Sequence, residues 1–227
     1  DIEKSNFYLN LSNYLNPKFI LNSTLVAENF YLNEEYEKAQ KILKNFDKKY
    51  EFYYWFRVKK EAQIIIKDKG YDEGINYLSL KFSKIKNPNV KMVFDIANFY
   101  KNSKNYEKAI EYYTEIISSL DDNSEIKSDL LYRRGGSYER LGNFQRADGD
   151  LKYSLRINPD DAYVLNYLAY SWLERDYKID EAMRMLEKAY ALRSNDPYIT
   201  DSIGWAYYLI ENYTEAEKYI KKAVELM

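Results

Sequence analysis

The sequence has no cysteine and no histidine among its 227 residues. Without cysteine there can be no disulfide, no thiol nucleophile and no thiolate metal site, although the redox compartment stays undecided. Without histidine the chain lacks the commonest general base and the commonest metal ligand. We therefore expect no cofactor, no bound metal and no enzymatic activity. A carboxylate pair, Glu174 and Asp201, was the one acid–base arrangement to consider, and no cleft motif accompanies it.

Charge and hydropathy argue against two further classes of protein. The formal net charge is only −2, which does not suit a protein that neutralises phosphates, so nucleic acid is not an expected partner. No apolar run is long enough to span a bilayer, so no direct membrane insertion is expected. With 46% hydrophobic and 31% charged residues, the chain can nevertheless bury a core.

One short pattern recurs six times along the chain, at intervals of 34 to 38 residues. Examples are "YEKAQKIL" (36–43) and "YTEAEKYI" (213–220). Each copy has a small residue where two helices would cross closely, because a larger side chain would hold the helices apart. These small residues are Ala39, Gly74, Ala109, Ala147, Ala182 and Ala216.

Each repeat contains two stretches with apolar residues at i, i+3, i+4 and i+7, which is the spacing of amphipathic helices. Turn sequences such as "RLGN" (140–143) and "LIEN" (209–212) separate the two stretches. The four prolines lie near the repeat boundaries, where proline can end or begin a helix: Pro17, Pro88, Pro159 and Pro197. The patterns predict an all-α chain of about a dozen helices without a β-sheet. The predicted repeats are about 20–54, 55–89, 90–127, 128–161, 162–196 and 197–227, and 1–19 is predicted to hold the second helix of a truncated repeat.

The repeat resembles the tetratricopeptide repeat (TPR) family. The last repeat carries its features most plainly, at Ile203, Gly204, Tyr207, Tyr213, Ala216 and Ala223. The successive segments "NYLAYSW" (166–172) and "DSIGWAYY" (201–208) are similar to a subgroup of long bacterial TPR scaffold and adaptor proteins. The resemblance implies a right-handed α-solenoid of stacked helix–turn–helix repeats, about six plus a partial one at the N-terminal end. It also implies a non-catalytic scaffold for a protein or peptide partner, in the cytoplasm or, as for lipoprotein relatives, the periplasm.

Neither end of the chain resembles a natural terminus, so we expect a piece of a longer protein. The last helical pattern carries apolar residues that would face a further repeat, which makes self-association through the ends a further expectation. These residues are Tyr219, Ile220, Ala223 and Val224.

Two faces of the first helices have different compositions. One carries Leu165, Leu168, Ala169 and Trp172, and its counterpart in the next repeat carries Thr200, Ile203, Gly204 and Tyr207. At about 100° per residue the members of each set point the same way, so they are predicted to form the core between repeats.

The second face mixes large aromatic residues with single polar ones, a composition that favours a binding surface over a solvated face. The resemblance implies that this face lines the concave side. The predicted peptide-binding groove consists of Tyr132, Arg140, Asn166, Tyr170, Asp201, Trp205 and Tyr208. Gly136, beside Tyr170, is predicted to leave a recess. The alternative is that these aromatics only pack against one another or against a missing repeat.

The matching face of the N-terminal repeats is more ordinary, and a solvated face is predicted there. It carries Lys59, Gln63, Lys67, Phe94, Asn98 and Lys101. Two other functions stay open from the sequence. One is a non-catalytic adaptor domain of a larger enzyme or protease complex. The other, which the net charge disfavours, is an RNA-binding helical repeat.

Overall fold

Thirteen α-helices make up the regular structure of the part of the chain that the computed structural model describes, residues 2–16 and 19–227, and this part contains no strand. The all-α prediction is therefore confirmed, while Pro17 lies outside the described residues. The helices are α1 (Ile2–Leu15), α2 (Ile20–Leu32), α3 (Tyr36–Leu43), α4 (Glu51–Lys69), α5 (Tyr71–Phe82), α6 (Val90–Asn102), α7 (Tyr106–Ser118), α8 (Glu125–Arg140), α9 (Phe144–Ile157), α10 (Ala162–Leu173), α11 (Ile179–Leu192), α12 (Pro197–Leu209) and α13 (Tyr213–Leu226).

The helices form two compact units, an N-terminal unit of residues 1–104 and a C-terminal unit of residues 105–227. The division of the chain into six repeats stays a prediction. Within the described ranges, no helix combines the length and the apolar character that crossing a bilayer requires.

Short polar side chains cap several helices of the C-terminal unit. The Asp161 carboxylate accepts backbone N–H bonds from Tyr163 and Val164, and Asp196 does the same for the first turn of α12. Asn143 and Asn212 cap α9 and α13 through their side-chain oxygens. Such caps satisfy N–H groups that have no partner within the helix, and each stabilises its helix by about 1 kcal/mol.

Small residues allow the two helices of a pair to cross closely, as the repeat pattern predicted. A Cβ atom added to Gly204 of α12 would lie 2.8 Å from Ile220 Cγ1 and 3.1 Å from the Ile220 backbone nitrogen in α13. In the N-terminal unit, a Cβ on Gly74 would lie 2.9 Å from the Ala62 carbonyl oxygen. Ala182 and Ala216, at the equivalent crossings, are buried. A larger side chain at these crossings would force the helices apart.

Trp172 lies at the centre of the core of the C-terminal unit. It is fully buried among apolar residues that include Leu168, Leu186 and Ile203. The predicted core positions are buried in both repeats except Tyr207, which is half-buried and stacks on Tyr219 at a ring-centroid distance of 5.5 Å. The prediction of core positions therefore holds with Tyr207 at the margin.

Part of the face predicted to await a further repeat is used within the last helix pair. Ala223 is buried, and Tyr219 contacts both Tyr207 and Tyr190. Ile220 lies against Gly204, and it remains 37% exposed while Val224 remains 67% exposed. The apolar surface left open on α13 is thus smaller than the sequence pattern indicated.

Candidate functional site

The candidate site lies on α10 and α12, which pack together in the C-terminal unit. Asn166 and Tyr170 are four residues apart on α10, and Asp201 and Trp205 have the same separation on α12. Residues four apart on a helix share a face, so each helix presents one polar and one aromatic side chain together. Tyr208 follows Trp205 on the same face of α12.

Glu174, at the C-terminal end of α10, connects the two helices. Its Oε1 accepts a hydrogen bond from Trp205 Nε1 at 3.0 Å. Burial raises the pKa of Tyr170, and so do the charge of Glu174, a hydrogen bond with that carboxylate and the charge of Asp201. Tyr170, Glu174, Asp201 and Trp205 therefore lie close enough together to interact. The sequence indicates Glu174 only as a candidate acid or base and does not predict this bridging role.

A half-buried ring, Trp205, and an exposed ring, Tyr208, stack beside this cluster. The Trp205 and Tyr208 rings are nearly parallel, at 15°, with their centroids 5.2 Å apart. Tyr208 is 48% exposed and Tyr170 is 39% exposed, whereas Trp172 on the other face of α10 is fully buried. We call Tyr170, Trp205 and Tyr208 the aromatic platform. Its rings are accessible, in contrast to those of the core.

Asn166 has a side-chain oxygen that lacks a donor. Its Oδ1 is buried and has no hydrogen-bond partner among the described residues. A buried amide oxygen without a partner costs about 1–3 kcal/mol of stability. An N–H group from a bound molecule would remove that cost.

The upstream members of the predicted groove have different surroundings. Tyr132 on α8 is half-buried at the edge of the core and meets Tyr167 edge-on at 5.6 Å. Arg140 is exposed and has the Glu139 carboxylate 3.6 Å from its Nε. The structure thus brings Asn166, Tyr170, Asp201, Trp205 and Tyr208 together, with Tyr132 packed against the core and Arg140 open to solvent.

The recess predicted between Gly136 and Tyr170 is not formed as expected. The side chain beside Gly136 is Tyr167, whose hydroxyl oxygen would lie 3.4 Å from an added Cβ. Tyr167 donates a hydrogen bond to Glu139 at 3.0 Å, and burial, together with that carboxylate, raises its pKa. Gly136 therefore accommodates a neighbouring tyrosine of the chain itself.

The face of the N-terminal repeats predicted to be solvated is only partly so. Lys67 is exposed, but Gln63 is half-buried and its Oε1 is buried without a partner. Lys59 forms an ion pair with Asp95 at 2.8 Å.

Comparison with known proteins identifies the type of repeat. A tetratricopeptide repeat model matches residues 90–119 and 202–226. The chain is also 26% identical over 166 residues to a TPR repeat-containing protein of Pseudomonas aeruginosa. The chain therefore contains tetratricopeptide repeats. The Pseudomonas match covers 73% of this chain and 28% of the relative.

A TPR repeat-containing protein of Methanocaldococcus jannaschii is 38% identical over 80 residues, which are 34% of this chain and 14% of the relative. The chain thus spans less than a third of the length of either curated TPR relative.

Solved structures share the TPR architecture at low sequence identity. MamA from Desulfovibrio magneticus is 16% identical, with a TM-score of 0.58 over 74% of this chain and 92% of its own. BtubC from P. vanneervenii is 15% identical, with a TM-score of 0.60 over 99% of this chain and 87% of its own. Cut9–Hcn1 of the APC/C is also 15% identical, with a TM-score of 0.62 over 91% of this chain and 39% of that one. At this identity the likeness concerns the fold alone, an α-solenoid of helix–turn–helix repeats.

Proposed function

We propose that the C-terminal unit binds an extended segment of a partner protein across the aromatic platform. A TPR fold suits a protein-interaction scaffold, and the proposal adds where on this chain the partner segment binds. The observation that carries it is the conjunction of stacked, accessible rings at Trp205 and Tyr208 with a buried, unpartnered Oδ1 at Asn166. Rings and an amide in this arrangement offer a peptide both apolar contact and a hydrogen-bond acceptor.

Apolar contact would supply most of the binding free energy. Aromatic side chains can bury about 150–250 Å² each, and they dominate the residues whose truncation weakens interfaces most. Asn166 Oδ1 would accept a backbone N–H of the ligand. Because the Trp205 and Tyr208 rings already stack on each other, little of their side-chain entropy is lost when a ligand binds.

Charge indicates which ligand residues fit. Glu174 and Asp201 give the platform two carboxylates, and no ion pair in the described residues neutralises either one. A basic or amide-bearing ligand group is therefore favoured beside Asp201. At the upstream end, exposed Arg140 would attract an acidic side chain or a C-terminal carboxylate.

The test uses a phage-displayed library of random dodecapeptides selected on the 227-residue chain. Recovered peptides are labelled, and their binding to the chain and its variants is measured by fluorescence anisotropy. Trp205→Ala should weaken binding by about tenfold or more, since it removes a stacked ring of the platform. Tyr198→Ala is the matched control, because Tyr198 is a 74% exposed aromatic on the same helix and outside the platform.

Equal binding by Trp205→Ala and the unmodified chain, for every recovered peptide, would refute the proposal. Circular dichroism of each variant separates a loss of binding from a loss of folding.

A further inference from the structure

The N-terminal unit contains a cleft that the sequence did not predict. Its volume is about 490 Å³, and its lining residues come from α2, α4, α5 and α6. Ligand-binding clefts have volumes of about 300–1,000 Å³. The aromatic part of its wall consists of Tyr31, Phe56, Tyr71 and Phe99. We call it the N-terminal cleft.

Gln63 of α4 lines this cleft and carries an unsatisfied acceptor. Its Oε1 is buried and has no partner among the described residues. Gln63 precedes the small residue Gly74 by the same eleven positions that separate Trp205 from Ala216. The position that carries a platform ring in the last repeat thus carries an amide here. A ligand that donates an N–H to this oxygen would satisfy it.

The cleft has more positive than negative charge. Lys60 pairs with Glu28 at 2.6 Å, and Lys59 pairs with Asp95 at 2.8 Å. Asp95 is shared with a second lysine, Lys91, at 2.9 Å.

Lys67 also lines the cleft, is exposed, and has no ion-pair partner in the described part of the chain. Three lysines and two carboxylates therefore line the cleft, and Lys67 is available to a ligand.

We propose that the N-terminal cleft binds a peptide segment that contains an acidic side chain. The backbone N–H of the segment donates to Gln63 Oε1, and its carboxylate pairs with Lys67. An inorganic anion would meet the charge but has no N–H for Gln63, whereas a basic peptide would be repelled by the lysines. The proposal does not depend on ligand binding at the aromatic platform, since every residue it uses lies in the N-terminal unit.

The experiment selects random phage-displayed dodecapeptides on the full 227-residue chain and removes those that also bind the double variant Gln63→Leu/Lys67→Ala. This counter-selection discards peptides held by the aromatic platform, which the double variant retains. Surviving peptides should be enriched in Asp and Glu. In fluorescence anisotropy each single substitution should weaken their binding by about tenfold, the loss of one charge-assisted or one buried hydrogen bond.

Lys69→Ala is the matched control, because Lys69 is an exposed lysine of the same helix outside the cleft lining. It should change the affinity less than about twofold, in keeping with a solvated lysine away from the ligand. Lys67→Ala keeps the test meaningful if Gln63→Leu fails to fold, since Lys67 is exposed and its truncation leaves the core intact.

Three results would overturn the proposal. Counter-selection could leave no peptide, the surviving peptides could lack acidic residues, or they could bind Lys67→Ala as tightly as the unmodified chain. A loss of their binding on Trp205→Ala, with none on Lys67→Ala, would likewise assign them to the aromatic platform. Failure at the platform alone would leave the N-terminal result unaffected.

Discussion

Two tryptophans on neighbouring helices should respond very differently to truncation, because Trp172 is core and Trp205 belongs to the aromatic platform. Trp172 is fully buried. Removing about 200 Å² of buried ring surface costs about 5 kcal/mol at about 25 cal/mol per Å². Trp172 Nε1 is buried without a partner, and its removal returns about 1–3 kcal/mol. We therefore expect Trp172→Ala to lower the free energy of unfolding by about 3 kcal/mol.

Trp205→Ala loses a stacking contact with Tyr208 and a hydrogen bond to Glu174, which is exposed to solvent. Together these losses amount to about 1 kcal/mol, since solvent weakens a hydrogen bond to an exposed carboxylate. Trp172→Phe is the matched control for the core position. It removes the unpartnered N–H and leaves only a small cavity, so its cost should stay below about 1.5 kcal/mol.

The assay is urea denaturation followed by circular dichroism at 222 nm. Since the chain has two compact units, unfolding can occur in two transitions, and both substitutions lie in the C-terminal unit. If Trp205→Ala destabilises that unit as much as Trp172→Ala, Trp205 is a core residue and the platform argument fails.

Three further predictions test the stabilising contacts. Burial would raise the pKa of Asp95, but hydrogen bonds from Lys59, Lys91 and Trp55 hold it below its ordinary value of 3.8. The contribution of the ionised carboxylate to the free energy of unfolding is therefore present above pH 3.8 and lost as pH falls through the lower folded pKa. Acid titration of Asp95→Asn should show a weaker pH dependence of stability in that range. Gly74→Ala should destabilise the chain by about 1–3 kcal/mol in urea denaturation, because the new Cβ would meet the Ala62 carbonyl. Gly149→Ala should stabilise the chain by about 0.5–1 kcal/mol in the same assay, because a Cβ added to Gly149 has no neighbour within 4 Å. Asn166→Leu should leave stability unchanged or raise it by about 1 kcal/mol in the same assay while weakening peptide binding, and a large destabilisation would contradict an unpartnered Oδ1.

The repeat period and the helical spacing predicted most of the fold. Small residues at a steady interval identified the crossings, and one of them, Gly74, lies where a Cβ would clash with the partner helix. Helical arithmetic also separated Trp172 from Tyr170 on α10, and the structure buries the first while leaving the second 39% exposed. Both results depend only on positions within one helix or one helix pair. Over that range, spacing in the sequence determines where side chains lie relative to one another.

What the sequence could not predict depends on contacts between repeats. Tyr167 fills the space beside Gly136 because its side chain leans towards α8, and a residue number does not give that direction. Glu174 bridges to Trp205 from just beyond the end of α10, where helical arithmetic no longer applies. The burial of Gln63 Oε1 likewise depends on the other helices that line the N-terminal cleft.

The two unpartnered amide oxygens are informative because they occur in different chemical surroundings. Asn166 belongs to the site that contains the aromatic platform and two carboxylates, whereas Gln63 lines a cleft with more lysines than carboxylates. Stability alone would favour an apolar side chain at either position, since a buried oxygen without a donor is destabilising. A peptide N–H would supply the missing donor to either oxygen. The surrounding charges then select opposite ligands, basic or amide-bearing at the platform and acidic in the N-terminal cleft. A peptide that joins one sequence recovered at each site should bind more tightly than either alone if its linker spans them. Fluorescence anisotropy with the joined peptide, compared against Trp205→Ala and Lys67→Ala, measures that gain; an affinity no better than that of the stronger single segment would argue for two separate partners.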